Sequence, residues 1–281
     1  MLAILGSADP EMQAIEELLA MYEYRFEYAR VNGRRVHPGN AYNADPVILN
    51  KLETVVLVEC QPQNVTFKGK DCEIITIDHH RPSDPGYNQT PDKFWEASSI
   101  GQICKLLDIP QMNELKLIAA ADHCLAAAYA GKCPGIDPDK LMEWRIKSRA
   151  AFQNRSAEEV LADVHAAIAQ IEIAPIIYLA PCTGGIDDHE HHIYCGCPDG
   201  LGFHPVTDMR GKMVKELPEA AAWIGRAILA GPIPCPDNRQ KIVLQSADPP
   251  TIKAWLAGGG PDNIIDRYGD PERGFAGGYL K

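Results

Sequence analysis

Glu73-Ile74-Ile75-Thr76-Ile77-Asp78-His79-His80-Arg81-Pro82 is the stretch from which the fold of this chain is read. An apolar, β-branched run ends in one carboxylate and two imidazoles, and a proline stops its continuation. Strands of a parallel sheet buried on both faces read as near-continuous apolar runs. Such sheets bind ligands in the crevice beyond the carboxyl ends of their strands. Metal-competent side chains at that end of a strand therefore read as a site.

Two further segments are built the same way. Val55-Val56-Leu57-Val58 ends in Glu59, and Leu2-Ala3-Ile4-Leu5 runs through Gly6-Ser7-Ala8 into Asp9-Pro10-Glu11. If the three strands are neighbours in one sheet, Asp9, Glu11, Glu59, Asp78 and His79 converge. Converging carboxylates repel one another unless a cation sits among them. Oxygen with imidazole donors suits manganese, magnesium, zinc or iron. A fourth element, Leu117 to Ala128, is apolar except for Asp122 and His123. An ionised Asp in such a setting is costly unless charge or hydrogen bonds compensate, and a metal would do so. The alternative is that Asp122 ends a helix at the surface with His123 solvated.

The sequence order is an acidic pair after the first strand, an acid after Val-Val-Leu-Val, then Ile-Asp-His-His-Arg-Pro. Ala97-Ser98-Ser99-Ile100-Gly101-Gln102 and Ala-Asp-His-Cys follow. This series resembles the DHH phosphoesterases, over roughly the first 130 residues and, more weakly, the last 40. That family includes single-strand-specific exonucleases, oligoribonucleotide and cyclic-dinucleotide phosphodiesterases, manganese pyrophosphatases and exopolyphosphatases. The resemblance implies an α/β fold: a parallel-sheet catalytic domain with helices on both faces over residues 1–135. A helical connector over 136–171 and a smaller α+β substrate-binding domain over 172–281 would follow.

Carried over by motif, Asp9, Glu11, Glu59, His79 and Asp122 would bind metal, with Glu59 bridging two ions. Asp78 would orient His79 from behind, and His80 would face the substrate. Ser98 and Ser99 would lie near the crevice. The implied cofactor is Mn2+, with Mg2+ or another divalent ion as substitute, and the implied reaction is in-line attack of metal-activated water on phosphorus. The chain departs from the family at Leu5, where a His is usual, and at Glu11 and Glu59, where Asp is usual. Each Glu adds a methylene at a centre whose ligand distances hold within about 0.2 Å. Two functions follow: a metal-dependent hydrolase of a phosphodiester or phosphoanhydride bond, or a non-hydrolytic phosphate- or nucleotide-binding protein on a degenerate site.

Composition narrows the partners. With 281 residues the chain can hold two domains with cores of their own. Its net charge of −11 argues against strong non-specific binding to long nucleic acid, which needs clustered Lys and Arg. A small phosphorylated substrate or a short oligonucleotide (cyclic dinucleotide or polyphosphate among them) fits better, and a homo-oligomer is compatible. Met1 to Leu5 is too short for a secretory signal, and no apolar run reaches the roughly 18 residues of a membrane span. A cytoplasmic protein without a membrane partner is expected. The nine cysteines suit reduced thiols more than a disulfide framework. Cys182, Asp187, Asp188, His189, Glu190, His191, His192, Cys195 and Cys197 form a ligand-rich cluster, either a second metal site or an exposed polar loop.

Periodicity predicts helices over Met12–Tyr22, Pro138–Gln153, Ala157–Ile171 and Pro218–Leu229, and one ending at Leu256. Strands are predicted over Tyr24–Val31, Ile173–Leu179 and Lys241–Gln245, and a loop from Gly33 to Asp45. Ser99 and Gln102 read as a capping box opening a helix through Leu107. In the last segment, Arg273-Gly274-Phe275-Ala276-Gly277-Gly278 resembles the family's glycine-rich substrate turn. Arg273, Gly277 and Gly278 would bind substrate, with Arg267 or Lys253 as other sources of charge, although Gln245 stands where the family's strand carries Arg. The alternative is that these glycines only form tight turns.

Overall fold

A computed structural model describes residues 1–51, 53–179, 204–235 and 237–281. The Asp187–Cys197 cluster lies outside the described residues. The chain divides into two units, Met1–Cys124 with Gly131–Ser148, and Leu125–Ala130 with Arg149–Lys281. The architecture is mixed α/β and contains a parallel sheet. Among the described residues no helix is long and apolar enough to cross a membrane. Among the described cysteines, Cys60, Cys72, Cys104, Cys133 and Cys235 are free thiols.

The first unit is organised by four parallel strands: β1 (Leu2–Leu5), β2 (Arg25–Tyr28), β3 (Val55–Val58) and β4 (Ile74–Ile77), in the order β2-β1-β3-β4. The central pair, β1 and β3, is buried at every residue, as uninterrupted apolar sequence requires. The strand before Asp78 differs from expectation. It is an edge strand in which Ile77 is buried but Ile74 is 45% exposed. With one strand neighbour it has one side left uncovered, so its apolar run does not signal double burial. In register, Leu5 pairs with Val58 and Val58 with Ile77, which aligns the strand ends.

Helix α1 (Pro10–Met21) starts where Asp9 accepts from the Met12 amide and Pro10 occupies the first turn. It buries Met12, Ile15, Leu18 and Leu19 at helical spacing and packs on α2 (Ser99–Leu106) and α3 (Asn113–His123). Leu2, Ile4, Val55 and Leu57 pack on Ala29, Val36, Ala41, Ala44, Leu49, Cys60 and Val65. That face is therefore covered by loops and short strands instead of the expected helices. The Gly-, Pro- and Asn-rich sequence there holds a two-residue strand, Arg34–Arg35, paired with Arg30–Val31, and a 3-10 turn, Ala41–Asn43.

Helix α4 (Leu125–Tyr129) follows immediately, and α5 (Pro138–Gln153) and α6 (Ala157–Ile173) match their predicted starts. A capping box does open a helix, but at Ser156 and Glu159. In the second unit lies a six-stranded sheet of β5 (Ile176–Leu179), β6 (His204–Asp208), β7 (Ile228–Pro234), β8 (Gln240–Gln245), β9 (Ile264–Asp270) and β10 (Phe275–Leu280). Its order is β5-β6-β7-β8-β10-β9, antiparallel except between β6 and β7.

Two expectations are corrected in this unit. Helix α7 (Leu217–Trp223) stops well before Leu229, because Gly225 at φ +60 lets the Gly225 and Arg226 amides turn back onto the Ala222 and Ala221 carbonyls. Ile228 and Leu229 then enter β7. Gly277 and Gly278 lie within β10 and not in a turn, both paired to β8, with Gly277 also opposite Tyr268 of β9. A Cβ at Gly277 would stand 2.6 Å from the Tyr268 hydroxyl and 2.7 Å from its ring, so glycine there serves close packing. Arg267 is engaged by the carbonyls of Trp255, Gly259 and Pro261.

The core of this unit is centred on Trp255 of α8 (Pro249–Leu256), fully buried, with its indole N–H donated to the Gly277 carbonyl. Trp255→Ala removes both packing and that donor. We predict a loss of about 3–5 kcal/mol in urea unfolding followed by circular dichroism. An unchanged midpoint would rule out this residue as the centre of the core.

Candidate metal centre

Each donor reaches the centre through a specific backbone feature. Glu59 follows β3 with its amide bonded to the Ile77 carbonyl, and its φ of +49 puts it in the left-handed region. Such a conformation in a non-glycine residue costs about 1–3 kcal/mol and persists only where surrounding structure enforces it. Gly6 is part of that enforcement, since a Cβ there would stand 2.4 Å from the Glu59 carbonyl oxygen. Glu11, in the first turn of α1, is 2% exposed, and its Oε1 accepts from the Ile100 amide at the start of α2. Its Oε2 is buried with no hydrogen bond among the described residues. Asp122 comes from the last turn of α3.

One ligand atom from each of Glu11, Glu59, His79 and Asp122 lies within 4.8 Å of the other three. His79 is fully buried, and its Nε2 stands 3.0 Å from Asp122 Oδ2 and 3.5 Å from Glu59 Oε1. Bonds of about 2.1 Å to one hard cation place its donors roughly 3 to 4 Å apart, so this set fits a single divalent ion with little adjustment. Glu59, His79 and His80 form an overlapping set.

Electrostatics marks the same place. Burial, then the charges of Glu59 and Asp122, push the Asp9 carboxyl up to about 8. Burial, then Asp122 and Glu59, hold Glu11 well above the usual carboxylate range. Burial also acts to raise Glu59, but the charge of His80 and a hydrogen bond from His79 outweigh it and hold Glu59 below its ordinary value. These acids cannot all ionise together without a compensating cation.

Asp9 is beside the cluster, not within its closest set, and its Oδ1 caps α1. Asp78 does not orient the His79 ring, which corrects the expected role. Its Oδ1 accepts from the His79 amide (2.7 Å), the His80 amide (3.0 Å) and His80 Nδ1 (2.9 Å), and its Oδ2 accepts from Tyr42 Oη (2.9 Å). Burial would raise Asp78, but these hydrogen bonds and the His80 charge bring it down to about 2. His80 is thus the ring Asp78 holds. Ser98, not Ser99, caps α2: its Oγ accepts from the Gly101 amide and donates to the Trp95 carbonyl, and it is fully buried. Gln102 bonds the Asp78 and Ala97 carbonyls, so the expected Ser99–Gln102 capping box is not formed. The Ser99 hydroxyl is buried with no hydrogen bond among the described residues. Leu5 is fully buried and offers no donor. Arg273 lies in the turn between β9 and β10 of the second unit, its amide bonded to Asp270.

Two residues that the sequence reading left without a role are drawn in as well. Tyr42, in the stretch read as a loop, buttresses Asp78 and lies 3.9 Å beneath the Arg81 guanidinium. His123 is 1% exposed, and its Nδ1 is 3.1 Å from His79 Nδ1. Its position directly after an acid in an apolar helix was the one available signal.

Among known proteins, the chain is similar to the ribosomal protein uS12 methylthiotransferase RimO of Ruegeria pomeroyi, 28% identical over 132 residues. The same-named protein of another Ruegeria species is 29% identical over 132 residues. Each match covers 46% of this chain and 28% of the relative, so the chain spans little more than a quarter of the curated relatives it matches. No family model matches the chain. No solved structure matches it either.

The raised Asp9 carboxyl gives a signed expectation. The metal-free folded chain keeps a proton that the unfolded chain releases near 3.8, so stability falls as pH rises from about 4 to about 8 and then levels. Glu11 adds in the same direction. Thermal unfolding in a chelator should therefore give a lower Tm at pH 8 than at pH 5. Added Mn2+ should raise Tm, and more so at pH 8, where it replaces protons. A chelated protein more stable at pH 8 than at pH 5 would contradict the cluster as described.

Proposed function

We propose that the chain is a divalent-metal-dependent phosphoesterase of the DHH kind. It would hydrolyse a phosphodiester or phosphoanhydride bond in a small phosphorylated substrate or short oligonucleotide. The observation that carries this reading is the buried convergence of Glu11, Glu59, His79 and Asp122, with His80 alongside. Oxygen-rich donors with one imidazole suit manganese or magnesium better than a thiophilic metal.

A bound divalent ion would supply Lewis acidity toward phosphoryl oxygens and acidify water at neutral pH. Glu11, fixed by the Ile100 amide, would offer Oε2 inward, and Glu59 and Asp122 would complete the anionic wall around His79. His80 is held at Nδ1 by Asp78, so its Nε2 is the nitrogen turned toward a substrate oxygen. From there it would donate to a phosphoryl oxygen or pass a proton to the leaving group. Its side chain is 37% exposed, which a substrate-facing group requires. The negative walls would favour substrates whose phosphate arrives already charge-balanced by the ion, consistent with small ligands.

A second reading has a specific observation behind it. Leu5 removes one donor at the first strand and Gln245 leaves β8 without an Arg, as in a cleft that binds phosphate without hydrolysing it. The methylthiotransferase name belongs to relatives of which 28% is matched, and it does not direct this choice.

Metal-stripped protein reloaded with Mn2+ separates the readings. The assay takes bis-(p-nitrophenyl) phosphate, short oligonucleotides, cyclic dinucleotides and pyrophosphate, beside His79→Ala. Turnover that needs Mn2+ and falls at least about 100-fold in the variant is expected. Bound Mn2+ without turnover on any substrate would favour the binding protein, and no bound Mn2+ would overturn the phosphoesterase.

A further inference from the structure

We infer that His123 is a positioning residue that fixes which nitrogen of His79 bears a proton and so presents the other to the metal. This rests on the metal-centre reading above and adds a residue to it.

The Gln89 backbone carbonyl, 3.1 Å from His123 Nε2, can only accept, so His123 carries hydrogen on Nε2. A neutral His123 ring then has its lone pair on Nδ1. That atom faces His79 Nδ1 at 3.1 Å, so His79 must be the donor. With hydrogen held on Nδ1, Nε2 is the nitrogen of His79 that can give up its proton for a metal. This is the nitrogen 3.0 Å from Asp122 and 3.5 Å from Glu59. The relay runs from a backbone carbonyl through two imidazoles to the ligand position.

Packing holds the relay in place. The two rings stack with centroids 5.3 Å apart and planes 21° from parallel, and both residues are buried. Gly86 keeps the intervening loop close, since a Cβ there would stand 2.6 Å from His79 Cβ. Metal-binding histidines usually rest their second nitrogen on a carboxylate, a carbonyl or water. Asp78 is occupied by backbone amides, His80 and Tyr42, which leaves the role to His123. Consecutive residues at the end of α3 thus grip both nitrogens of one ring: Asp122 from the Nε2 side, His123 from the Nδ1 side.

Two substitutions split the relay. His123→Asn places an amide oxygen near the former Nδ1, keeping the acceptor for His79 but losing the reach to Gln89. His123→Gln places an amide N–H near the former Nε2, keeping the Gln89 bond but losing that acceptor. Mn2+ titration of the full chain by calorimetry should leave His123→Asn within about threefold of wild type and weaken His123→Gln by roughly 10–100-fold. In metal-free protein, ring ¹⁵N shifts should show a protonated His79 Nδ1 in wild type and His123→Asn, and an unprotonated Nδ1 in His123→Gln. Equal Mn2+ affinity in all three chains, or the reverse order, overturns the positioning role while leaving the centre intact. A loss beyond tenfold in a folded His123→Asn does so even if His123→Gln fails to fold. Wild type that binds no Mn2+ overturns the centre and this role together.

Discussion

The first unit is built around an electrostatic conflict. Glu11 and Glu59 are almost fully buried, with Asp122 and His79 beside them and Asp9 adjoining. Mutual repulsion and lost hydration both oppose such an assembly. Protonation offers partial relief, visible in the raised Asp9 and Glu11 carboxyls, and so does the His79 and His80 pairing that lowers Glu59. A divalent cation would relieve the whole set at once. Carboxylates arranged for catalysis or binding routinely carry this kind of cost.

The backbone makes the conflict geometrically unavoidable. Parallel pairing in register puts the residues after Leu5, Val58 and Ile77 at one edge of the sheet. Gly6 then allows β1 and the Glu59 turn to approach at a distance that any side chain would block. Glu59 is driven into the left-handed region, and Glu11 is clamped by the first turn of α2. The donors are thus held on strand ends and helix ends, whose positions are fixed by the packing of Ile4, Leu5, Met12, Ile15 and Ile100. A site on such elements needs little rearrangement to receive an ion.

Much of this was readable one residue at a time. Uninterrupted apolar runs gave β1 and β3, helical spacing gave α1, α5 and α6, and the acids and imidazoles at the strand ends singled out Glu11, Glu59 and His79. The misses share a cause. Ser98 against Ser99 as the cap, Asp78 against His123 as the partner of the His79 ring, and Gly277 in a strand instead of a turn all turn on which way a side chain points. Local pattern does not set that direction. Tyr42 was hidden for a related reason, since a loop's sequence does not disclose where its tip packs.

By itself, then, the sequence determined which segments could be strands or helices and which residues had metal-binding chemistry, because periodicity and functional groups are properties of the chain. Only the tertiary structure decided that β4 lies at an edge, that Asp9 spends one oxygen on a helix cap, and that Asp122 and His123 close on opposite nitrogens of His79. Those outcomes depend on distances between residues dozens of positions apart. They are fixed when the sheet register, the Glu59 turn and the end of α3 are satisfied together.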